Sequence, residues 1–338
     1  MHKLKSMSHF PVTSSILSKT HLNKFLIEQY SLPQETETSL IKAGVAHTYL
    51  VNTGAERFVF RVYSLGWRTL TEINEEIRLL NLLHEHYIPV AYAVKDAADN
   101  YIQELNAPEG NRHGVMFVFV EGDKLHNSPE ELHYKVGALM ANLHKVTHNL
   151  KLGRITYTPK VLLEDSFEEL KMFLKPSPEL DFMETAQQQL LNTLQSANTT
   201  AMRQGVVHLD IWFDNISVTK NHRISLYDFD FCGNGWLCLD IAYYVLQLHS
   251  VERDEAICRG KVDSFLAGYE SVIKISAEER RLLPYLGVAL YFFYLGVQSN
   301  RFDNWSNVFI NETYMKRFVE VLVKRYYDMY LLNEITTY

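Results

Sequence analysis

Between residues 206 and 242 three polar side chains stand at spacings that could do chemistry together: Asp210, Asn215 five positions on, and Asp228 thirteen beyond that. Moving a phosphoryl group onto a hydroxyl needs one carboxylate to orient the nucleophile, and an amide oxygen with a second carboxylate to hold magnesium on the transferred phosphates. Taken singly, each residue has a plainer explanation, since Asp and Asn are common in turns and at helix caps. The set, in this order, is what points to phosphoryl transfer.

The neighbouring sequence must bring the three together. Val206 and Val207, Ile216–Val218 and residues 224–227 are apolar and β-branched enough for short strands, and the polar residues 219–223 turn the chain between the last two. Residues 208–215 are then a loop entering a hairpin, and Asp228 leaves the hairpin's end. Such an arrangement gathers all three side chains at one point.

The run His208-Leu209-Asp210, then Asn215, then Asp228-Phe229-Asp230 and, ten residues later, Asp240-Ile241-Ala242 resembles the aminoglycoside phosphotransferase family. That family includes choline and ethanolamine kinases, one type of homoserine kinase, methylthioribose kinase and a bacterial stress-response protein kinase. The resemblance implies an α+β, two-lobed protein kinase-like fold, with a small N-terminal lobe on an antiparallel sheet and a larger, mainly helical C-terminal lobe. It implies Asp210 as the catalytic residue that orients or deprotonates the acceptor, Asn215 and Asp228 as ligands of Mg2+, and ATP or GTP as phosphate donor. It further implies that His208 organises the loop rather than acting as a base. Asp240 is expected to support the loop by bonding its backbone amides, since unmet buried donors are costly. Asp230 is either a second metal ligand or a solvated neighbour.

At 338 residues the chain has the length of about two domains or lobes. Its apolar and charged shares, 47% and 22%, are those of an ordinary globular protein. A net charge of −7 leaves no electrostatic footprint for nucleic acid. Cys232, Cys238 and Cys258 are too few and too unevenly placed for a disulfide framework or a zinc site, and read as small buried side chains in a reducing, cytoplasmic setting. The first eight residues carry two lysines with no apolar run after them, so no signal peptide is expected. The longest apolar stretch, residues 282–297, contains Pro284, Gly287 and Gly296 and is shorter than the roughly 20 residues of a membrane span. It reads as a buried core helix, with no membrane partner.

Upstream, residues 22–30 suit a short helix ended by Leu32-Pro33, and strands are expected around Leu40-Ile41, at 47–52 and at 58–63. Arg61 is the anomaly in the last of these. In protein kinases a cation on such a strand contacts the nucleotide phosphates, and a guanidinium would do so as a planar fork; an exposed Arg on a half-buried sheet is the alternative. Ile73, Ile77, Leu80 and Leu83 give residues 71–84 a helical period. Glu76 on that helix resembles the acidic partner of the phosphate-binding cation, with Glu72 and Glu75 competing. Residues 88–90 are expected to re-enter the sheet, and 101–105 to pair with 115–120 across a polar connection at 107–113. The second strand runs into Phe119-Val120-Glu121, which resembles the hinge where adenine bonds to backbone. Residues 1–120 are thus expected to form the nucleotide-binding lobe and 121–338 the catalytic and acceptor-binding lobe.

Ser128-Pro129-Glu130-Glu131 looks like a helix start with Ser at the cap. The helix it opens would end near His148, with His144 as a packing and capping residue. Residues 150–204 read as weakly patterned helices with 187–189 and 196–200 in loops; the resembled family inserts helices here that form one wall of the acceptor site. After Ala242 helices are expected at 243–249, 255–269, 277–296 and 311–332.

Some departures bear on function. Asp230 stands where protein kinases have Gly, and only eleven residues separate Asp228 from Asp240, too few for a phosphorylation-gated segment. This favours a small-molecule kinase. Leu209 occupies a position that is usually Gly in the family, and Trp212-Phe213 replaces small or turn-forming residues. That pair either faces a ligand, where Trp suits a cation, or packs in the core. The expected activity is magnesium-dependent transfer of the terminal phosphoryl group of ATP or GTP to a hydroxyl of a small molecule: an aminoglycoside, choline or ethanolamine, homoserine or a related metabolite. The alternatives are an atypical Ser/Thr protein kinase of the stress-response type and a nucleotide-binding protein without transfer activity.

Overall fold

Strict alternation of buried and half-buried side chains along residues 46–51 is what a strand with one covered face produces, and the N-terminal part of the chain is built on that pattern. The computed structural model describes residues 10–124, 128–301 and 310–332. A helix α1 (Lys19–Tyr30) precedes strands β1 (Glu37–Ala43), β2 (Ala46–Asn52) and β3 (Arg57–Tyr63). Then come helix α2 (Leu70–Glu85) and strands β4 (Ala93–Val94), β5 (Ile102–Ala107) and β6 (Gly110–Val118). The six strands form one antiparallel sheet in the order β1-β2-β3-β6-β4, with β5 also on β6. Leu22 and Leu26 of α1 close its apolar face over Tyr49, Val51, Phe60, Val62, Leu105 and Met116.

The remainder is largely helical: α3 (Glu130–Thr147), α4 (Ser166–Phe173), α5 (Pro178–Gln195), α6 (Cys238–Val251), α7 (Glu255–Glu270), α8 (Ala277–Arg301) and α9 (Glu312–Phe318), the last continuing in wider turns to Leu332. Between α5 and α6 lie four short strands, β7 (Gln204–Val207), β8 (Ile216–Val218), β9 (Ile224–Leu226) and β10 (Gly233–Trp236), paired β7 with β10 and β8 with β9. The described residues fall into two compact units, one of residues 10–81 with Ala91–Phe119, the other of Leu82–Val90 with everything described from Val120 on.

Several expectations need correction. Residues 88–90 do not rejoin the sheet: Val90 makes a lone parallel bridge to Leu226, whose N–H donates to the Pro89 carbonyl at 2.9 Å. A proline has no N–H for a ladder, and the sheet is re-entered at β4 instead. The connection between β5 and β6 is only Pro108-Glu109, because Asn111, Arg112 and His113 belong to β6. Arg112 hides there fully buried, its guanidinium on the carbonyls of Tyr63 and Ser15 at 2.9 Å each and on Glu109 at 3.3 Å; a paired charge tolerates burial where an unpaired one does not. Helix α3 begins one residue later than a Ser128 cap would place it, with Pro129 in the cap position.

Gln187–Gln189 is helix rather than loop. Ser177 caps α5 with Pro178 behind it, and Met183, Ala186, Leu190 and Leu194 form its buried face. The Gln187 amide is anchored on the Leu163 carbonyl at 3.1 Å. Helix α8 is longer than the apolar stretch suggested. By length and composition alone residues 277–300 would span a bilayer, yet 78% of the most apolar window is buried inside the protein.

Helices α3 and α7 approach each other at glycines. A Cβ on Gly137 would lie 2.0 Å from the Phe265 carbonyl oxygen, and one on Gly268 would lie 1.9 Å from the Tyr134 carbonyl oxygen. Gly→Ala inside a helix normally gains up to about 1 kcal/mol of propensity. Here the obstruction is backbone, which has no rotamer to change, and overpacking costs about 1–3 kcal/mol. Gly268→Ala should therefore be destabilised by about 1 kcal/mol or more in urea unfolding; equal or greater stability would show that the helices separate freely.

Candidate active site

The loop after β7 is held by a carboxylate that reaches it from the first turn of α6. Asp240, with no exposed surface, accepts from the N–H groups of His208 at 2.9 Å and Leu209 at 2.6 Å, and pairs with His144 Nε2 at 3.1 Å. Since Asp240 accepts, His144 carries its proton on Nε2, and its Nδ1 takes the Tyr269 hydroxyl proton at 2.7 Å. His144 is thus a member of a buried network, not a helix-end cap. Leu209 stands in the left-handed region at φ +63°, a conformation that costs a non-glycine residue on the order of 1 kcal/mol. It is bound on both sides, through its N–H to Asp240 and through its carbonyl to the Tyr294 hydroxyl.

Asp210 follows, with both carboxylate oxygens engaged. Oδ2 accepts from the Asn215 amide at 2.7 Å, and Oδ1 accepts from the Tyr243 hydroxyl at 2.5 Å. The same Asn215 Nδ2 donates to the Asp210 carbonyl at 3.0 Å. With its NH2 spent on Asp210, Asn215 has its Oδ1 left for another partner. His208 Nδ1 accepts from the Asp210 N–H and its Nε2 donates to the Tyr227 carbonyl, both at 3.2 Å. Burial pulls the His208 imidazole below its ordinary pKa, and the two bonds fix the neutral Nε2–H form, so this ring has no lone pair free to act as a base.

Hairpin β8–β9 returns the chain to Asp228, itself left-handed at φ +63° and leading into a tight turn at Phe229–Phe231. Asp230 is buried at 5% exposure, so its reading as a solvated neighbour is wrong. The Arg154 guanidinium donates to the Asp230 carbonyl oxygen. Burial pushes the Asp210 carboxyl well above its ordinary range; the Tyr243 bond opposes this, and the nearby charges of Asp228 and Asp230 push it further up. Three carboxylates gathered in one place call for positive charge. Among the described residues no three His, Cys, Asp or Glu side chains form a ready-made metal cage. An amide oxygen with one or two carboxylates is nevertheless the sparse oxygen set that magnesium uses when phosphates supply the rest, and Asn215, Asp228 and Asp230 fit it.

In the other unit Arg61 Nη1 lies 3.1 Å from Glu76 Oε1, with Glu76 fully buried and Tyr63 donating to its second oxygen at 3.2 Å. The competing acids are committed elsewhere, Glu75 to Arg78 and Glu72 to Thr69. Of the three linker residues, Phe119 gives its N–H to the Arg57 carbonyl and Glu121 gives its carbonyl to the Ser217 hydroxyl. No backbone hydrogen bond of Val120 is found among the described residues.

Sequence reasoning missed Tyr243 and Tyr294. Tyr243 lies three residues after Asp240, one helical turn on, which is the only local signal for it. Trp212 and Phe213 pack edge to face at 4.5 Å and line a cavity with Leu132, Val136, Tyr244 and Leu248.

A raised carboxyl favours the protonated native state, and its contribution to stability is lost as pH rises through the folded pKa. In chelator without nucleotide, the melting temperature of Asp210→Asn relative to the natural protein should climb between pH 4 and pH 8. A flat or falling difference would contradict the crowding of carboxylates described above.

Comparison with known proteins accords with this geometry. An uncharacterised protein of Synechocystis is 27% identical over 326 residues, 93% of this chain and 87% of its own. The homoserine kinase of Methylobacillus glycogenes is 25% identical over 268 residues, 76% of this chain and 78% of that enzyme. A microcompartment-associated aminopropanol kinase superposes with a TM-score of 0.77 at 20% identity, over 93% of this chain and 98% of that one. An amicoumacin kinase in complex with AMP-PNP and Ca2+ gives 0.75 at 17% identity, over 93% and 94%. These likenesses establish the kinase-like α+β fold. The model of the phosphotransferase enzyme family matches residues 37–282, and the chain therefore belongs to that family.

Proposed function

We propose that the protein transfers the terminal phosphoryl group of ATP or GTP to a hydroxyl of a small amino alcohol or related metabolite, with Asp210 as the residue that receives the acceptor hydroxyl. The observation that carries this reading is the fixed Asp210 carboxylate, bonded at both oxygens, beside an Asn215 amide whose oxygen is left over and two further carboxylates. Each Asp210 oxygen keeps a lone pair, so the acceptor O–H can bond to a carboxylate that is already oriented. Asn215 and Asp228, with Asp230 as a further ligand, would hold magnesium, which when bound neutralises charge on the phosphates. Arg61, kept in place by Glu76, offers the phosphates a planar fork, and the Val120 backbone is the group best suited to adenine in the linker of Phe119, Val120 and Glu121.

The transition state of such a transfer is loose, so orientation and charge supply most of the acceleration. The amino alcohol class is supported by the relatives that phosphorylate homoserine and aminopropanol. A protein-kinase reading has no support in the segment after Asp228, where the tight turn, β10 and the start of α6 take up the residues as far as Asp240.

Magnesium-dependent ADP or GDP release should be measured against a panel of homoserine, 1-amino-2-propanol, choline, ethanolamine, methylthioribose, aminoglycosides and a generic protein. One small acceptor should stimulate release, and Asp210→Ala should abolish it with nucleotide affinity within about threefold of the natural protein. Asp228→Ala should weaken magnesium-nucleotide binding by roughly tenfold or more, on the order of 1.4 kcal/mol. Stimulation by the protein alone, or equal loss of binding and turnover in both variants, would overturn the assignment.

A further inference from the structure

Two tyrosines converge on consecutive residues of the catalytic loop from two different helices. Tyr243 of α6 donates to Asp210 Oδ1 at 2.5 Å, and Tyr294 of α8 donates to the carbonyl of Leu209, the residue held at φ +63°. Their rings lie 5.4 Å apart, centroid to centroid. Each phenol has one proton, Tyr243 directing its own to Asp210 and Tyr294 its own to the Leu209 carbonyl. The Gln247 side chain, one turn along α6, and the Tyr294 hydroxyl both lie near the Tyr243 hydroxyl.

We propose that Tyr243 and Tyr294 are positioning residues for phosphoryl transfer, Tyr243 setting the rotamer of Asp210 and Tyr294 holding Leu209 in the left-handed conformation that presents it. The inference rests on the assignment of Asp210 as the residue that meets the acceptor. Asn215 fixes Oδ2 alone, and a carboxylate held at one oxygen can still rotate about its χ angles. The second bond, to Oδ1, removes that freedom and leaves defined lone pairs for the acceptor. Asp240 secures the loop through the amides of His208 and Leu209, upstream of the reacting carboxylate. Tyr294 takes the next group in the chain, the Leu209 carbonyl, and Tyr243 takes the carboxylate itself. The three anchors act on successive groups of one short segment.

The test uses full-length Tyr243→Phe and Tyr294→Phe, which keep ring volume and lose only the hydroxyl. The control is Tyr244→Phe, a neighbour on α6 whose hydroxyl bonds His133 Nδ1 at 2.8 Å and has no contact with Asp210 among the described interactions. ADP release from magnesium-ATP is followed with 1-amino-2-propanol as acceptor and with water alone, and crystal structures are determined for each variant. Tyr243→Phe is expected to lower kcat by roughly tenfold to a hundredfold, as small misplacements of a reacting group do, with KM for ATP within about twofold. Its Asp210 carboxylate should rotate away from the orientation seen in the natural protein. Tyr294→Phe should change kcat in the same direction, and the double variant should lose less than the product of the two. Tyr244→Phe should lower the melting temperature with kcat unchanged.

A Tyr243→Phe enzyme of natural kcat, or an unmoved Asp210 in its crystals, overturns the proposal. So does an equal fall of kcat in Tyr244→Phe, which would make the effect one of general packing. Asp210→Asn in the same assay separates the two claims: full turnover in that variant defeats the role of Asp210, whereas an inactive Asp210→Asn beside a fully active Tyr243→Phe defeats the positioning role alone. Should no ADP release occur even in the natural protein, the activity assignment fails and the crystals still decide whether the tyrosine sets the rotamer.

Discussion

A carboxylate with no exposed surface survives only if its lone pairs are filled, and Asp240 is that carboxylate here. It takes two loop amides and an imidazole N–H, and in doing so it fixes where β7 ends and the loop begins. Everything downstream inherits that anchor: the left-handed turn at Leu209, the direction of Asp210, and the hairpin that returns Asp228. The partners of Asp240 extend the constraint outwards, from His144 on α3 to Tyr269 on α7. A polar network of this sort is costly to break at any member, because a lost partner leaves a buried group unmet.

The chemistry of the site follows from crowding. Packing desolvates Asp210 while Asp228 and Asp230 add like charge, so ionising Asp210 is disfavoured and a nearby cation would favour it. Arg61 and Glu76, in the other unit, solve the opposite problem: a buried acid keeps a cation in place, and Tyr63 satisfies the acid's remaining oxygen. In both clusters charged side chains are held in a fixed arrangement by buried partners, as preorganised sites require.

Much of this was legible in the sequence, and the reasons can be given residue by residue. The hairpin of β8 and β9 announces itself through β-branched residues around a polar turn, and the spacing of Asp210 and Asn215 is short enough that a tight loop must bring them together. Glu76 could be separated from Glu72 and Glu75 only by seeing which acid faces β3. Arg112 concealed part of β6, because a paired, buried guanidinium looks like loop polarity in one dimension. Tyr243 and Tyr294 were illegible for a different reason. An aromatic residue in an apolar helix reads as core, and so these two are; only the tertiary fold decides where a buried hydroxyl finds its acceptor. The run Gln187–Gln189 misled in the same way, as amides that find partners on neighbouring segments need no loop.

The glycine contact between α3 and α7 has a consequence for how this protein can change over time. Gly137 and Gly268 leave space for no side chain at all between the two backbones, and the same two helices carry His144 and Tyr269, joined at 2.7 Å. A drift that enlarged either glycine would push the helices apart and stretch the bond that links them. Two chemically inert positions are thereby tied to the catalytic loop, which His144 and Tyr269 support through Asp240.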